Sequence, residues 1–189
     1  DLSEDFAAGA PGTGVPPGFV YIISSQSGAE LSNVSRATNF GFGLAVAAMG
    51  LVDGDGVPDY AVGDPADGDS AWVFSGSNST VIHKWNGPGL GYSLCGPGDC
   101  NADGRDDIAV AEQGRLYVFS GLTGDTLFYF DSPLLGFRTE PMGDINHDGI
   151  PDVGCSSSPP PERGKTFVLS GDNGTVIRMH EGSEDFSSL

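Results

Sequence analysis

The chain has 189 residues, a length typical of one domain of ordinary size. Its 26 acidic and 8 basic residues give a net charge of −18, which excludes binding to the phosphate backbone of a nucleic acid. Its apolar runs are only a handful of residues long, whereas a membrane-spanning helix needs about 20 apolar residues. No membrane span is therefore predicted.

Short β-rich segments recur along the chain in a fixed order. Each full set has an aromatic segment, mostly beside glycine, then a small apolar segment, a segment that ends in serine, and a β-branched segment after a tight turn. In chain order the segments lie at 6–8, 20–24 and 29–31; at 42–44, 60–62, 72–76 and 80–82; at 91–94, 108–110, 117–121 and 126–128; at 136–137, 153–155, 167–171 and 175–177; and at 186–189. The serines of the third kind of segment, Ser24, Ser75, Ser120 and Ser170, stand 45–51 residues apart.

Four short strands in a repeat of this length are typical of a β-propeller blade. No segment has the length and the 3.6-residue period of a helix, so helical repeats are excluded. We therefore predict an all-β propeller of four four-stranded blades in a single domain, 1–189. The expected parts are a partial blade at 1–35, blades at about 36–86, 87–132 and 133–181, and a closing strand at 182–189.

An acidic loop separates the first and second segments of each complete repeat. The three loops, 51–59, 99–107 and 144–152, carry oxygen side chains at positions 3, 5 and 9 and glycine at position 6. Position 1 is aspartate in the second and third loops, but Leu51 stands there in the first. Such a loop can wrap a hard cation, because Ca²⁺ takes about six to eight oxygen ligands, and position 7 can offer its main-chain carbonyl.

The pattern predicts about three Ca²⁺ sites, of which the first is the weaker. The candidate ligands are Asp53, Asp55, Val57 and Asp59; Asp99, Asn101, Asp103, Arg105 and Asp107; and Asp144, Asn146, Asp148, Ile150 and Asp152. An EF-hand shares the opening of the loop but needs flanking helices and a glutamate at position 12. Here a β-rich run follows position 9 at once, so we expect a calcium loop between two strands.

The sequence resembles the FG-GAP repeats of integrin α-chain propellers. Phe42-Gly43 supplies the FG half, Gly9-Ala10-Pro11 supplies the GAP half, and the acidic loops fit the calcium pattern of that family. The resemblance implies radial blades with calcium loops on one face, in proteins used for adhesion, ligand binding or display. Some relatives bind glycans, and in some enzymes such a propeller accompanies the catalytic region.

Catalysis is not predicted, because the three histidines lie outside any repeated Ser or Cys constellation and the aspartates are explained by the calcium pattern. We expect a non-enzymatic, calcium-stabilised module for extracellular binding, adhesion or structure, with an unidentified protein or glycan ligand. Two alternatives stay open. One is the self-assembling subunit of an extracellular fibre, and the other is a glycan-binding propeller or an accessory domain of a carbohydrate-active enzyme.

The strand count leaves three ways to complete the first blade. The segment at 186–189 can pair with the first blade of its own chain, or it can complete the blade of a neighbouring molecule. A heterologous contact of the second kind builds a ring or a filament. In the third alternative the chain is part of a longer propeller.

An extracellular location is predicted from the candidate glycosylation sites and the cysteine spacing. Three sequons place candidate glycans at Asn33, Asn78 and Asn173. Cys95 and Cys100 are close enough in sequence to bridge a short loop, which would leave Cys155 single. Three unpaired thiols are the alternative.

Overall fold

The computed structural model describes residues 5–12, 17–36, 41–66, 68–133, 135–157 and 164–182. These residues form fifteen strands in four antiparallel sheets and no helix. The first sheet contains β1 (Phe6–Ala10), β2 (Gly18–Ile23) and β3 (Glu30–Arg36). The second contains β4 (Ala45–Ala48), β5 (Tyr60–Asp64), β6 (Ser70–Phe74) and β7 (Val81–Asn86). The third contains β8 (Ser93–Gly98), β9 (Asp107–Glu112), β10 (Arg115–Phe119) and β11 (Thr126–Asp131). The fourth contains β12 (Leu135–Gly143), β13 (Asp152–Ser157), β14 (Lys165–Leu169) and β15 (Val176–Glu181).

The fold is a β-propeller of four blades, as the sequence predicted. Within each sheet the strands follow one another in chain order, so that each sequence repeat forms one blade. The first blade has three described strands, which correspond to the second, third and fourth strands of the others. Residues 183–189, which include the predicted closing strand, lie outside the described residues. The completion of the first blade therefore stays a prediction.

Burial along the strands follows their place in the blade. Every residue of β5 is buried, and five of the six residues of β9 are buried. The second strands β5 and β9 are covered on both faces because a neighbouring blade packs on each side. The outer strands β7 and β11 contain only exposed and half-buried positions, and they share one burial pattern.

The hydrophobic core consists of three clusters, and each is shared by two consecutive blades. Val20 of the first blade packs with Phe42 and Phe74 of the second. Val73 of the second blade packs with Ile108 of the third. The cluster between the third and fourth blades joins residues of β9 and β10 to Val153 and Leu169. Burial between blades therefore holds the propeller together.

The FG and GAP segments meet across the boundary between consecutive blades. The α-carbon of Gly9 lies directly against the carbonyl of Gly43, and Gly63 lies in the same way against Gly91. A Cβ at Gly9 or Gly63 would collide with that main chain. Gly43 and Gly91 adopt φ angles of 86° and 94°, a region that favours glycine. The sequence motif therefore marks a close contact between two blades.

Candidate metal sites

The three acidic loops occupy the same place in consecutive blades. Loop 51–59 joins β4 to β5, loop 99–107 joins β8 to β9, and loop 144–152 joins β12 to β13. Position 9 of each loop stands at the start of a buried second strand. The acidic loops therefore lie between the first and second strands of their blades, and the binding of a metal by their side chains stays a prediction.

Local hydrogen bonds shape the second and third loops in the same way. In the second loop, Asp99 accepts the main-chain N–H groups of Asp103 at 3.1 Å and Gly104 at 2.8 Å. Asn101 accepts the N–H of Asp103 at 3.0 Å, and Asp103 accepts the N–H of Arg105 at 2.9 Å. The equivalent four bonds of the third loop measure 2.8–3.1 Å. The repeated spacing therefore gives a repeated conformation.

Each loop turns through two left-handed residues, at positions 4 and 6. Glycine fills position 6 in all three loops, with φ angles of 87–90°. Position 4 is Gly54 in the first loop, but Ala102 and His147 hold φ angles of 58° and 64° in the others. Side chains rarely adopt this region, so the strain at position 4 shows how firmly the neighbouring hydrogen bonds fix the loop.

The first loop has a different beginning. Leu51 offers no carboxylate, and its N–H donates instead to Asp106 Oδ2 of the next blade at 2.7 Å. The guanidinium of Arg105 lies against Gly54 of this loop. Hydrogen bonds from the Ser77 side chain and the Val57 N–H hold the pKa of Asp55 below its ordinary value. The first loop is thus held by a carboxylate of the next blade, whereas the second and third loops are held by the aspartate at their own position 1.

Position 9 is a buried anchor, a role that the sequence reasoning missed. Asp107 is fully buried, and its carboxylate accepts the N–H of Cys100 at 2.7 Å and that of Gly121 at 2.9 Å. Asp59 and Asp152 make the matching bonds to their own loops and to Gly76 and Gly171. Each anchor therefore ties its acidic loop to the turn after the third strand.

Burial raises the pKa of two of these anchors. The pKa of Asp107 is raised to about 6, mainly because the carboxylate is removed from water, while the N–H groups of Gly121 and Cys100 oppose the shift. The pKa of Asp59 is raised for the same main reason. The recurring Ser-Gly pairs at 75–76, 120–121 and 170–171 are the sequence signal that could have revealed the anchor.

The loops offer the oxygen donors that calcium prefers: carboxylates, amide oxygens and main-chain carbonyls. In the described part of the chain, no group of three or more His, Cys, Asp or Glu side chains is placed so that it could hold a metal ion. Many carboxylate oxygens accept N–H groups of their own loop instead, as Asp99 and Asp103 do. The chemistry of the donors fits Ca²⁺, and the ligand set stays a prediction.

All three cysteines are free and buried in the structure, and the bridge between Cys95 and Cys100 stays a prediction. The Cys100 thiol points to the carbonyl of Pro151 in the next blade, at 3.5 Å, and Cys95 lies beside Thr139. Burial raises the pKa of the Cys95 and Cys155 thiols to about 12, and it also raises that of Cys100. In the structure all three thiols are therefore unpaired.

The three sequon asparagines are exposed. Asn78 and Asn173 each accept the N–H of the threonine two residues on, at 2.9 and 3.0 Å, which stabilises a turn. Asn33 donates to Glu30 at 2.6 Å. Glycosylation of these residues stays a prediction. Among the described residues, no helix has the length and apolar character needed to cross a membrane.

Sequence comparison confirms the resemblance to integrin α chains. Human integrin α-6 is 32% identical over 123 residues, which cover 57% of this chain and 11% of that protein. Human integrin α-E is 33% identical over 122 residues, with 51% and 10% covered. Mouse integrin α-7 is 32% identical over 107 residues, with 49% and 9% covered. The chain therefore spans about a tenth of the length of these relatives. No protein-family model matches the chain.

Structure comparison concerns the fold alone, because the identities are low. A chain of a mitotic checkpoint complex superimposes with a TM-score of 0.65 and 8% identity, over 95% of this chain and 50% of that chain. A chain of hydrazine synthase from Kuenenia stuttgartiensis superimposes with a TM-score of 0.60 and 15% identity, over 88% and 44%. Each solved chain is therefore about twice as long as the part that this protein matches.

Proposed function

We propose that the chain is a non-enzymatic, calcium-stabilised propeller that works outside the cell as an adhesion module with a protein ligand. The observation that carries the proposal is the recurrence of one acidic loop at the same place in consecutive blades, each with a hydrogen bond from the N–H at position 5 to the side chain at position 3. The similarity to integrin α chains supports the adhesion role. The proposed domain is a single propeller with blades near 36–86, 87–132 and 133–181.

In this proposal each loop holds one Ca²⁺ through its side chains at positions 3 and 5, the position 7 carbonyl and the position 9 aspartate, and the second and third loops add the aspartate at position 1. The ion supplies a positive charge among carboxylates that otherwise repel one another. Three bound ions would reduce the net charge from −18 to −12. The first loop binds more weakly because it lacks a carboxylate at position 1 and has the Arg105 guanidinium against its Gly54.

The anchors at position 9 give calcium a way to stabilise the whole blade. Asp107 joins its loop to Gly121, which follows the third strand of the same blade. Ordering the loop therefore also restrains the turn between the third and fourth strands. The loops become rigid platforms, which suits a protein that presents a surface to a partner.

Calcium titration tests the metal sites. Isothermal titration with CaCl₂ should show about three sites per chain, with one weaker than the others, and a chelator should lower the midpoint of thermal unfolding. At a free ion concentration of 100 times Kd, each site adds about 2.7 kcal/mol to the free energy of unfolding. Asp148→Asn should remove one site. The control Asp125→Asn, in an exposed turn outside the loops, should keep all of them.

A midpoint that is the same in calcium and in chelator would contradict the proposal, as would Asp148→Asn binding as many ions as the control. Adhesion needs a separate measurement. Beads coated with the chain should attach to cultured cells in CaCl₂ and detach in chelator, while beads coated with heat-unfolded chain should not attach. Equal attachment by both kinds of bead would contradict the adhesion role and leave the calcium sites intact.

A further inference from the structure

The glycine before each acidic loop is a contact point between neighbouring loops. It stands at 50, 98 and 143, directly before position 1. Position 8 of the following loop lies against this glycine at two boundaries between blades. Asp106 of the second loop lies against Gly50, and Pro151 of the third loop lies against Gly98. Neighbouring loops therefore touch in the same way at both boundaries.

The side chain that crosses the boundary differs between these two contacts. Between the second and third loops it is the apolar ring of Pro151, whose Cγ would lie 3.1 Å from a Cβ at Gly98. Between the first and second loops it is a carboxylate, since Asp106 Oδ2 accepts the N–H of Leu51 at 2.7 Å. The loop without an aspartate at position 1 is thus the loop that receives a carboxylate from the next blade.

The Asp106 carboxylate is held firmly in this place. A Cβ at Gly50 would collide with it, so the glycine leaves the room that the carboxylate fills. Asp106 is half-buried, and the residue after it is the fully buried anchor Asp107. The anchor accepts the N–H of Gly121 at 2.9 Å within its own blade. The main chain that carries Asp106 is therefore fixed by the core of the third blade.

Asp106 brings the first loop to the number of donor side chains that the other two loops have. The second and third loops each carry four side chains with oxygen, at positions 1, 3, 5 and 9, whereas the first loop carries three. The bond to Leu51 uses only part of what Asp106 can accept, because an ionised carboxylate has two oxygens and about four lone-pair sites. Ca²⁺ takes about six to eight oxygen ligands, so one more carboxylate raises the affinity of a loop that is short of donors.

We propose that the first calcium site is completed by the next blade, with Asp106 supplying the carboxylate that position 1 lacks. This inference rests on the proposed calcium function. The first site is then shared by the second and third blades, whereas the second and third sites each take their side-chain donors from one blade. An ion in the first site therefore stabilises the boundary between two blades as well as its own loop.

Isothermal titration with CaCl₂ tests this assignment in an Asp148→Asn background, which is expected to keep the first and second sites. Adding Asp106→Asn should raise the dissociation constant of the weaker site about fivefold or more, because it removes one nearby unit charge. The constant of the tighter site should stay within about twofold. The control Asp125→Asn removes the same charge from an exposed turn outside the loops, and both constants should stay within about twofold.

Two further measurements separate calcium binding from a merely structural role of Asp106. Asparagine keeps an oxygen that can accept the N–H of Leu51, so in chelator the midpoint of thermal unfolding should stay within about 2 °C of the background and should fall further below it only in CaCl₂. Adding Leu51→Asp to the Asp106→Asn variant should restore the constant of the weaker site, because it puts an aspartate at position 1 as in the other loops. Leu51→Ala is the matched control and should not restore it.

Three results would overturn the shared site. The first is a weaker site that binds equally well in the Asp106→Asn and Asp125→Asn variants. The second is a loss confined to the tighter site, because Asp106 would then act within its own loop. The third is an equal fall of the unfolding midpoint in chelator and in CaCl₂, which would make the role of Asp106 structural. Each of these leaves the proposed function standing, whereas a background chain that binds no calcium would contradict both.

Discussion

Replacing the buried anchor Asp107 with alanine and measuring stability in chelator isolates the structural role of this residue from its proposed role as a metal ligand. The carboxylate accepts two N–H groups, from Cys100 at 2.7 Å and Gly121 at 2.9 Å, and its residue has no exposed surface. Alanine leaves both donors buried without a partner. Each unsatisfied buried donor costs about 1–3 kcal/mol, so the two together cost about 2–6 kcal/mol.

The lower half of this range is expected. The carboxylate is itself removed from water, which raises its pKa to about 6, and alanine relieves that cost. We therefore expect Asp107→Ala to reduce the free energy of unfolding by about 2–4 kcal/mol. Because the two hydrogen bonds do not involve calcium, this loss should appear in chelator, and in CaCl₂ the loss should be larger because Asp107 is also a proposed metal ligand.

Urea unfolding at pH 7.5, followed by the fluorescence of Trp72 and Trp85, measures the loss. Asp103→Ala is the matched comparison, because Asp103 lies in the same loop but is exposed. In chelator this variant should lose less than about 1 kcal/mol, since water can replace its hydrogen bonds. In CaCl₂ it should lose more, because it gives up a metal ligand. The reasoning fails if Asp107→Ala is as stable as the wild type in chelator, or if both variants lose the same free energy of unfolding in chelator.

The remaining predictions concern the thiols and the contact between blades. Ellman's reagent should detect no thiol in the native protein, because burial shields all three thiols and raises their pKa. In urea without reductant it should detect three thiols. A single thiol in urea would instead indicate a disulfide. Gly63→Ala should lower the free energy of unfolding by about 1–3 kcal/mol, because its Cβ would collide with the carbonyl of Gly91. The control Gly164→Ala, where the nearest atom is 3.8 Å away, should stay within about 0.5 kcal/mol, and equal losses would refute the collision.

The acidic loops show how far local sequence can predict a site. Asp99 bonds to residues four and five positions on, and Asn101 to a residue two positions on. These bonds depend only on neighbouring residues, so the spacing of Asp, Asn and Gly predicted the loop. The anchor role of Asp107 depends on Gly121, which lies fourteen residues away on another turn. The spacing of residues within the loop carries no information about that contact.

The cysteines show the opposite limit. A separation of five residues allowed either a bridge between Cys95 and Cys100 or three unpaired thiols. In the structure the Cys100 thiol turns to Pro151, fifty-one residues away. Packing between two blades directed the side chain, and short-range spacing carries no information about such packing.

The sequence alone determined the number of blades, their strand order and the position of the acidic loops, because each repeat contains its own strands, turns and loop and folds by local pairing. Tertiary structure alone decided how consecutive blades fit. The contact of Gly9 with Gly43 and the bond of His83 Nε2 to the carbonyl of Gly121 join residues of different repeats. Whether a face of a blade is buried depends on the neighbour that packs against it, and that neighbour is fixed only when the blades are assembled in space.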